Sequence, residues 1–265
     1  MRILITGYKG FVGQNMVNAL KDQHTLSFYE WGEKMPLVRG LDWVIHLGAI
    51  SSTTERDVEK VMRQNYDFSV ELLDLCDLWN VNFQYASSAS VYGQNLKFAE
   101  TDPVSPLSPY AWSKYFFDKY VLENCRDNIR VQGFRYFNVY GPHEEHKGSQ
   151  ASPYCQFTKQ AKETGVIKLF EKSDQYFRDF VPVETVVDIH RQFFNIEESG
   201  IWNIGTGQVK SFESVAEEIA IKYNAKIEII PMPDNIKNQY QYFTKADLTK
   251  LSKTLYEKNS SKWNI

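Results

Sequence analysis

Short apolar runs alternate with amphipathic stretches along most of this chain. Residues 2–6 and 42–47 are almost continuously apolar or β-branched, as strands buried on both faces of a parallel sheet are. Residues 57–79 carry apolar side chains at helical spacing and predict one long amphipathic helix. The same patterns predict strands at 26–30, 82–87, 129–134 and 199–204, and helices at 108–124 and 211–223. This alternation predicts an α/β fold with a doubly wound parallel sheet.

A glycine-rich turn follows the first predicted strand directly. Gly7, Gly10 and Gly13 have the spacing GxxGxxG, and residues with helical character follow from position 14. Glycines let backbone amides approach a diphosphate, which the positive end of a helix dipole stabilises. Because the spacing differs from GxGxxG, the argument depends on the succession of strand, turn and helix. That succession predicts a dinucleotide site in a Rossmann-like sheet.

A tyrosine and a lysine lie one turn apart at the start of the helix predicted over 108–124. Ser108 is a good N-cap and Pro109 a good first residue, so Tyr110 opens the helix and Lys114 shares its face. A nearby cation lowers the pKa of a phenol from about 10, which suits it to accept a proton from an alcohol. An ordinary amphipathic helix with a surface lysine explains the same residues equally well.

Composition and charge exclude several classes of protein. The 265 residues allow one large α/β domain or a large lobe with a small one, and the net charge of −3 creates no field that attracts nucleic acid. No apolar run reaches membrane-spanning length, and the chain starts on a predicted strand rather than a signal peptide. Its three cysteines are scattered, without metal-ligand spacing. We therefore expect a cytoplasmic protein that binds neither nucleic acid, membrane nor metal.

Several conspicuous residues fit ordinary structural roles. His46 lies inside an apolar strand and is expected to be a hydrogen-bonded core residue. Phe116, Phe117 and Tyr120 follow the helical period and are expected in the core. The run HEEH at 143–146 places its histidines three apart in a loop, unlike the spacing of HExxH, so we expect no metal there.

Taken together, the glycine turn, the serine-rich strand end at 87–88 and the YxxxK pair resemble the extended short-chain dehydrogenase/reductase superfamily. Longer strings are similar to the ADP-glyceromanno-heptose 6-epimerase family within it. These strings are SSTTE at 51–55, YASSA at 85–89, GFRYFNVYGP at 133–142, HKGS at 146–149 and FTKADL at 243–248. The likeness covers most of residues 44–251, and HKGS is its most specific part.

The resemblance implies a two-base epimerase that acts on a nucleotide sugar with bound NADP or NAD. It implies that Tyr110 and Lys147 exchange protons, that Lys114 holds the nicotinamide ribose and that Ser88 bonds the reacting oxygen. Hydride leaves carbon 6 of the heptose, the resulting aldehyde turns, and the hydride returns to its other face. A lysine can serve as acid and base if burial lowers its pKa to about 7–8. The family also implies a homo-oligomer that supplies lipopolysaccharide precursors.

The resemblance also implies which residues hold the two ligands. The cofactor set is Gly7, Gly10, Phe11, Val12, Gly13, Glu30, Trp31, Lys34, Leu47, Gly48, Ala49, Ser51, Asn65, Lys114 and Val139. The substrate set is Ser51, Ser88, Asn138, Ser149, Gln156, Phe170, Glu171, Ser173, Arg178 and Tyr240. Gln156 departs from the family's histidine, whereas the guanidinium of Arg178 suits a diphosphate through its own chemistry.

The choice between NADP and NAD depends on charge near the end of the second strand. Glu30 would bond a ribose 2′-hydroxyl and repel a 2′-phosphate, whereas Lys34 could offset that charge. The resemblance favours NADP, and the local chemistry allows NAD.

The chain is short between its second and third predicted strands. Residues 31–42 leave no room for the helix, outer strand and second helix of a complete Rossmann half. We expect a sheet without that strand, in the order 2-1-4-5-6-7, and a more exposed adenine half of the cofactor. The carboxyl end is also shorter than the family's. The predicted dinucleotide lobe is 1–142 with about 180–208, and the substrate lobe is 143–179 with 209–265.

Two other functions stay open. A UDP-hexose 4-epimerase, or another nucleotide-sugar oxidoreductase, would share Ser88, Tyr110 and Lys114 but would not explain HKGS at 146–149. A dehydratase is disfavoured because residues 89–90 are Ala-Ser where those enzymes carry an acidic pair. The short second connection also allows a protein that binds a nucleotide sugar without turning it over.

Overall fold

The computed structural model describes residues 1–35, 37–124, 126–233 and 241–261 of the chain, with side chains up to residue 257. The strands are β1 (Arg2–Thr6), β2 (Thr25–Tyr29), β3 (Trp43–His46), β4 (Asn82–Ser88), β5 (Val131–Tyr136), β6 (Asn138–Tyr140), β7 (Val166–Phe170), β8 (Phe177–Arg178), β9 (Phe180–Pro182), β10 (Gly200–Ile204), β11 (Lys210–Ser211), β12 (Lys226–Ile230) and β13 (Phe243–Thr244). The α-helices are α1 (Phe11–Leu20), α2 (Val58–Met62), α3 (Phe68–Leu78), α4 (Pro109–Glu123), α5 (Pro153–Thr164), α6 (Val183–Phe193), α7 (Phe212–Tyr223) and α8 (Thr249–Ser261).

Six parallel strands form the central sheet in the order β10-β5-β4-β3-β1-β2. Strands β3, β4, β5 and β10 correspond to strands 4 to 7 of a complete Rossmann sheet, so the predicted order 2-1-4-5-6-7 is confirmed. The described part of the connection from β2 to β3 contains neither helix nor strand, which leaves β2 at the edge of the sheet. The α/β fold with a missing edge strand is therefore confirmed.

Helices cover both faces of this sheet. Ile3 and Ile5 pack with Met16 of α1 on one face. Between them, Leu4 points to the opposite face, where it belongs to the cluster that contains Phe117 of α4. Alternate residues of a strand face opposite sides, so a strand buried on both sides needs a continuous apolar run. Phe116, in contrast, is 41 % exposed, and the prediction that it lies in the core is wrong because the helical turn carries it to the outer face of α4.

The helix predicted over 57–79 forms with one irregularity. A π-helical turn, Arg63–Asp67, joins α2 to α3. Asp57 caps the start, where its carboxylate accepts a hydrogen bond from the Lys60 backbone N–H at 2.9 Å. A π turn inserts one residue and shifts the side chains that follow, and such turns are frequent at functional sites.

Smaller sheets lie beyond the central one. β7 and β12 pair in parallel and pack with α5 and α7 around Ile167, Val215 and Ile219. β8 pairs with β11 and β13, and β6 pairs with β9. The division into a dinucleotide lobe and a substrate lobe stays a prediction. Among the described residues, no helix combines the length and apolarity that crossing a membrane requires.

Candidate active site

A cleft of about 650 Å³ opens where the central strands end. In a doubly wound sheet this edge lies beside the point at which strand order reverses, here between β1 and β3. Ser88, Tyr110, Lys114 and Lys147, which the sequence analysis assigns to catalysis, all line this cleft.

The glycine turn forms one wall of the cleft, and only glycine fits at two of its positions. Gly7 has φ +70°, and a Cβ there would lie 2.5 Å from the backbone nitrogen of Gly48. A Cβ at Gly13 would lie 2.1 Å from the carbonyl oxygen of Gly7. Gly10 begins α1 without any side-chain cap, so the first turn of α1 presents backbone N–H groups. This close-packed turn fits the diphosphate of a dinucleotide.

Tyr110 and Lys114 occupy the first turns of α4 as predicted. Ser108 caps the helix by accepting a hydrogen bond from the Ala111 backbone N–H at 3.2 Å, and Pro109 is its first residue. The Lys114 amine donates to the Ala86 carbonyl oxygen at 2.8 Å and lies 6.0 Å from the centroid of the Tyr110 ring. Burial lowers the pKa of Lys114 to about 8.

The pKa of the Tyr110 hydroxyl shifts in the direction opposite to the one that the sequence predicts. Burial raises the pKa of Tyr110, and a hydrogen bond with Ser88 opposes that rise. The prediction of a lowered phenol pKa is therefore wrong for this structure. Burial is the largest cause of the raised pKa and the negative charge of Asp118 adds to it, while the Lys114 amine is hydrogen-bonded to a backbone carbonyl, 6.0 Å from the ring centroid.

A buried ion pair lies one helical turn beyond Lys114. The Arg135 side chain donates to the Asp118 carboxylate at 2.9 Å, and the Tyr85 hydroxyl donates to its other oxygen at 3.0 Å. The negative charge of Asp118 raises the pKa of Lys114 and so opposes the effect of burial. The sequence analysis missed Asp118, although its i+8 spacing from Tyr110 places it on the same helical face.

Lys147 approaches the cleft from the short 3₁₀ turn at Glu145–Gln150. Its amine lies 5.5 Å from the centroid of the Phe11 ring at the start of α1. Burial lowers the pKa of Lys147, and the Glu144 carboxylate opposes this. The direction is the one that an acid/base role requires.

Glu144 holds the loop that carries Lys147. Its carboxylate accepts hydrogen bonds from the Gly141 backbone N–H at 3.1 Å, the Ser152 backbone N–H at 2.7 Å and the Ser152 hydroxyl at 2.7 Å. Glu144 is buried, whereas its neighbour Glu145 is exposed. The sequence drew attention to Glu144 only as part of HEEH at 143–146, a possible metal motif. No group of potential metal ligands occurs in the part of the chain that the structure describes.

Most of the other predicted ligand-binding residues line the same cleft. From the cofactor set these are Gly7, Gly10, Phe11, Val12, Gly13, Glu30, Leu47, Gly48, Ala49, Ser51, Lys114 and Val139. From the substrate set they are Ser51, Ser88, Asn138, Gln156 and Arg178. Glu30 also accepts a hydrogen bond from the Lys9 backbone N–H at 2.7 Å, which links the end of β2 to the glycine turn.

Three residues of the cofactor set lie elsewhere. Trp31 and Lys34 line two separate surface grooves, because the short connection turns away from the cleft after Glu30. Asn65 is buried behind the cleft in the π turn. Its side chain bonds the Ile50 backbone N–H at 2.8 Å and the Ile50 carbonyl oxygen at 3.0 Å. The same amide nitrogen donates to the Ser113 hydroxyl of α4 at 3.1 Å, so Asn65 acts on the cleft indirectly, by holding the segment that follows β3 against the catalytic helix.

Part of the substrate set also lies outside the cleft. Ser149 is exposed on the outer side of its turn, and Ser173 is buried in a separate 3₁₀ turn. Phe170 is the last residue of β7 and Glu171 follows it. The Glu171 N–H donates a hydrogen bond to the Ile230 carbonyl, which fastens this strand end to β12. Tyr240 lies outside the described residues.

The cleft contains further residues that sequence reasoning missed. Among them are Thr53, Ser87, Tyr136, His146, Gln150, Phe212, Gln241 and Thr244. Tyr136 is the last residue of β5, so the rule that ligands bind at the carboxyl ends of parallel strands could have found it. The side-chain amide of Gln241 donates to the Gly93 carbonyl. The backbone carbonyl of Gln241 accepts a hydrogen bond from the Arg178 guanidinium at 2.5 Å. No local pattern marks Gln241, because it reaches the cleft from far along the chain.

Several solved structures have a fold similar to that of this chain. The ADP-L-glycero-D-manno-heptose-6-epimerase of Helicobacter pylori is 26 % identical with a TM-score of 0.85, over 96 % of this chain and 89 % of that one. The UDP-glucose 4-epimerase of Thermus thermophilus, solved with NAD, is 24 % identical with a TM-score of 0.81, over 96 % and 92 %. The RMD protein of Pseudomonas aeruginosa, solved with NADPH, is 24 % identical with a TM-score of 0.79, over 96 % and 92 %.

The comparison with family models covers the region that carries most of the cleft. Residues 30–205 match the model of the NAD dependent epimerase/dehydratase family. This span includes Ser88, Tyr110, Lys114 and Lys147. It starts after the glycine turn, so the match does not depend on that turn. The chain therefore belongs to the NAD dependent epimerase/dehydratase family.

Proposed function

We propose that this protein is a nucleotide-sugar epimerase that inverts carbon 6 of an ADP-glyceromanno-heptose-like substrate with a nicotinamide dinucleotide bound. The observation that carries the proposal is that one cleft is lined by two candidate proton-transfer groups from separate parts of the chain. Tyr110 comes from α4 and Lys147 from the loop after β6. Similarity to the Helicobacter pylori heptose epimerase supports the choice of substrate.

The chemistry divides between the two groups. A bound nicotinamide supplies reversible acceptance of hydride. Tyr110, hydrogen-bonded to Ser88, takes or returns the proton of the reacting hydroxyl on one face of the carbon. Lys147 does the same for the other face, because burial lowers the pKa of its amine towards the range in which both protonation states are available. Lys114 holds the ribose through its charged amine.

Other residues of the cleft bind and orient. The uncapped start of α1 beside the glycine turn holds the dinucleotide diphosphate. Arg178 holds the diphosphate of the sugar nucleotide, since a guanidinium donates to two oxygens at once. The adenine half of a bound cofactor would be more exposed than in a complete Rossmann sheet, because β2 has no outer neighbour among the described strands.

We propose NAD as the cofactor, against the preference for NADP that the resemblance suggested. Glu30 lines the cleft, where its carboxylate can bond a ribose 2′-hydroxyl and repels a 2′-phosphate. Lys34, which could have offset that charge, lines a different groove. One neighbour in fold was solved with NAD and another with NADPH, so the fold alone allows either.

The first experiment identifies what the protein carries. Protein purified without added cofactor is denatured, and the released dinucleotide is identified by mass spectrometry. An epimerase returns the hydride that it removes, so we expect near-stoichiometric NAD. A protein that arrives empty and binds neither NAD nor NADP at millimolar concentration would contradict the proposal and favour a binding protein without turnover.

The second experiment tests the two bases separately. Inversion at carbon 6 of the ADP-heptose is followed by NMR in the wild type, Tyr110→Phe, Lys147→Ala and the exposed control Lys159→Ala. We expect both site variants to lose about 10²- to 10⁴-fold in rate while the control keeps it. Full activity of Lys147→Ala would remove the two-base mechanism but leave the oxidoreductase assignment intact.

A UDP-hexose 4-epimerase is the alternative that an observation favours. Gln156 occupies the position of a histidine that the heptose epimerase family uses to hold substrate. Its amide donates to the Ala151 carbonyl at 2.6 Å, so it holds the loop rather than a heptose substrate. Conversion of UDP-glucose, with no turnover of the ADP-heptose, would select this alternative. Assembly into a homo-oligomer, a cytoplasmic location and a role in lipopolysaccharide precursor supply stay predictions.

A further inference from the structure

A chain of buried side chains runs through the central sheet to the floor of the cleft. Gln84 of β4, Gln132 of β5 and His190 of α6 are each completely buried. Their hydrogen bonds end at Tyr136, which lines the cleft. None of the four residues has a role in the proposed mechanism. Because buried polar groups are retained only when hydrogen-bonded, the direction of each bond can be worked out.

The direction starts from backbone carbonyls. The amide nitrogen of Gln132 donates to the carbonyl oxygens of Phe193 at 3.2 Å and Ile196 at 3.0 Å. Carbonyl oxygens only accept, so the other end of this amide is oxygen, and it accepts from the Gln84 amide nitrogen at 3.0 Å. That nitrogen also donates to the His190 carbonyl at 3.1 Å. The side-chain oxygen of Gln84 therefore faces the His190 ring and can only accept.

The His190 ring fixes the direction of its hydrogen bond with the Tyr136 hydroxyl. Burial lowers the pKa of His190 to about 3, so the ring is neutral and carries one proton. That proton is on Nδ1, 2.8 Å from the Gln84 oxygen, and Nε2 must accept. The Tyr136 hydroxyl lies 2.5 Å from Nε2 and donates its single hydrogen there. Any further hydrogen bond to the Tyr136 oxygen must come from a donor.

We propose that Tyr136 positions a bound ligand by offering the cleft a hydrogen-bond acceptor and no donor, and that Gln84, Gln132 and His190 impose this polarity. The inference rests on the proposed function. Two hydrogen-bond donors could bind the Tyr136 oxygen in a nicotinamide enzyme of this class. They are the carboxamide –NH₂ of the cofactor and a hydroxyl of the sugar. A phosphate or carbonyl oxygen would be repelled at this point.

The same arrangement separates the roles of the two tyrosines that line the cleft. Tyr110 is hydrogen-bonded to Ser88, whereas the proton of Tyr136 is held by His190 on the α6 side of the sheet. Burial raises the pKa of Tyr136 well above its usual range, and the neighbouring Tyr110 adds to the rise. Tyr136 therefore stays a neutral phenol, whereas at Tyr110 the hydrogen bond with Ser88 opposes the rise that burial causes.

The first test reads the polarity without any ligand. In protein labelled with ¹⁵N-histidine, the His190 signals, assigned by their loss in His190→Gln, should show a neutral ring with its proton on Nδ1 at pH 7 and at pH 5. A proton on Nε2, or a charged ring at pH 7, would overturn the inference. This result is independent of whether the protein binds a dinucleotide.

The second test identifies the donor. Dissociation constants are measured for NAD and for its 3-acetylpyridine analogue, in which a methyl group replaces the amide –NH₂. If the carboxamide is the donor, Tyr136→Phe should weaken NAD binding by roughly two- to tenfold and leave analogue binding unchanged. Tyr120→Phe, whose hydroxyl bonds Asp74 on the protein surface, is the matched control and should change neither.

The remaining outcomes are distinct. If Tyr136→Phe leaves both dinucleotides unaffected but weakens binding of the ADP-heptose or UDP-glucose by a similar factor, a sugar hydroxyl is the donor. If no ligand is affected, the inference fails while the epimerase proposal stands. If the wild type binds no dinucleotide and no nucleotide sugar, the proposed function fails, and with it the ligand-positioning role, whatever the tautomer. A thermal unfolding curve of each variant confirms that it is folded.

Discussion

At the scale of single residues, the site is built from charged and phenolic groups removed from water. Lys114 is 5 % exposed. Its amine donates one hydrogen bond to a backbone carbonyl, and the Asp118 carboxylate lies one helical turn away. Burial disfavours the charged form of a lysine, and a nearby carboxylate favours it. The first effect is the larger one here, so the amine titrates closer to neutrality than an exposed lysine.

This shift makes stability depend on pH in one direction. The folded pKa of Lys114 is about 8, against 10.5 for an unperturbed amine, so between these values the unfolded chain binds more protons than the folded one. The free energy of unfolding of the wild type should therefore rise across that window, relative to Lys114→Met, by up to about 3 kcal/mol. Below pH 8 the difference should be constant.

Urea unfolding of both proteins from pH 7 to 10.5 measures this difference. Lys119→Met is the matched control on the same helix, because the Lys119 side chain is 45 % exposed and Glu123 raises its pKa, so the slope that it adds is opposite in sign and confined to the top of this pH range. A wild-type curve parallel to that of Lys114→Met throughout would show that the Lys114 amine titrates normally in the folded protein.

At the scale of elements, buried ion pairs and caps hold the pieces of the site together. Asp118 on α4 and Arg135 on β5 are both buried, and their bond fastens the catalytic helix to the sheet. The positions of α4 and its cap could be predicted from Ser108 and Pro109, which lie next to each other in the chain. The partner of Asp118 could not, because it belongs to a strand seventeen positions further on.

Removing one charge of that pair should be costly. Asp118→Asn leaves the buried Arg135 guanidinium without its ion-pair partner, and we expect the free energy of unfolding to fall by about 3–5 kcal/mol. Asp188→Asn breaks the exposed pair of Asp188 with Arg191 and should cost less than about 1 kcal/mol. Urea denaturation at pH 7 compares the two. Equal losses would mean that the buried pair contributes no more than the surface one.

The loop that carries Lys147 offers a second test at this scale. Glu144→Ala removes the acceptor of three hydrogen bonds from Gly141 and Ser152, so the turn should lose its fixed position. We expect epimerisation to fall at least tenfold with the dinucleotide affinity nearly unchanged. The exposed neighbour variant Glu145→Ala should behave as wild type. Hydrogen exchange over residues 141–152 should accelerate in Glu144→Ala alone.

At the scale of the whole molecule, the order of the sheet decides where the cleft lies and what remains exposed. The central strands end together beside the reversal of strand order, and the short connection after Glu30 leaves β2 at the edge. The outer faces of α3 and α4 also carry large apolar side chains in contact with solvent, including Leu78, Trp112 and Phe116. Such a surface often marks a protein interface.

That surface supports the prediction of a homo-oligomer. Light scattering of the wild type at micromolar concentration should give a mass at least twice that of the 30.9 kDa chain. Phe116→Glu places a charge on the apolar face and should give monomers, while Ile221→Glu, exposed on α7, should not. A wild type that runs as a monomer at all concentrations would contradict the prediction.

Sequence by itself determined the features that neighbouring residues encode. The apolar runs set the strands, GxxGxxG set the turn after β1, and the spacing of Tyr110 and Lys114 set one face of α4. The shortness of residues 31–42 even determined which strand is missing. These features depend on backbone propensity and side-chain period, which act over a few residues.

Only the tertiary structure decided which distant polar groups meet. It paired Asp118 with Arg135, carried Asn65 behind the cleft, brought Gln241 to Arg178 and fixed the direction of the Tyr136 hydroxyl through His190. The partners lie between 15 and 63 positions apart in the chain, and each group could have satisfied its hydrogen bonds in water. They find one another because burial removes water, and a buried polar group must then bond whatever partner the packing brings.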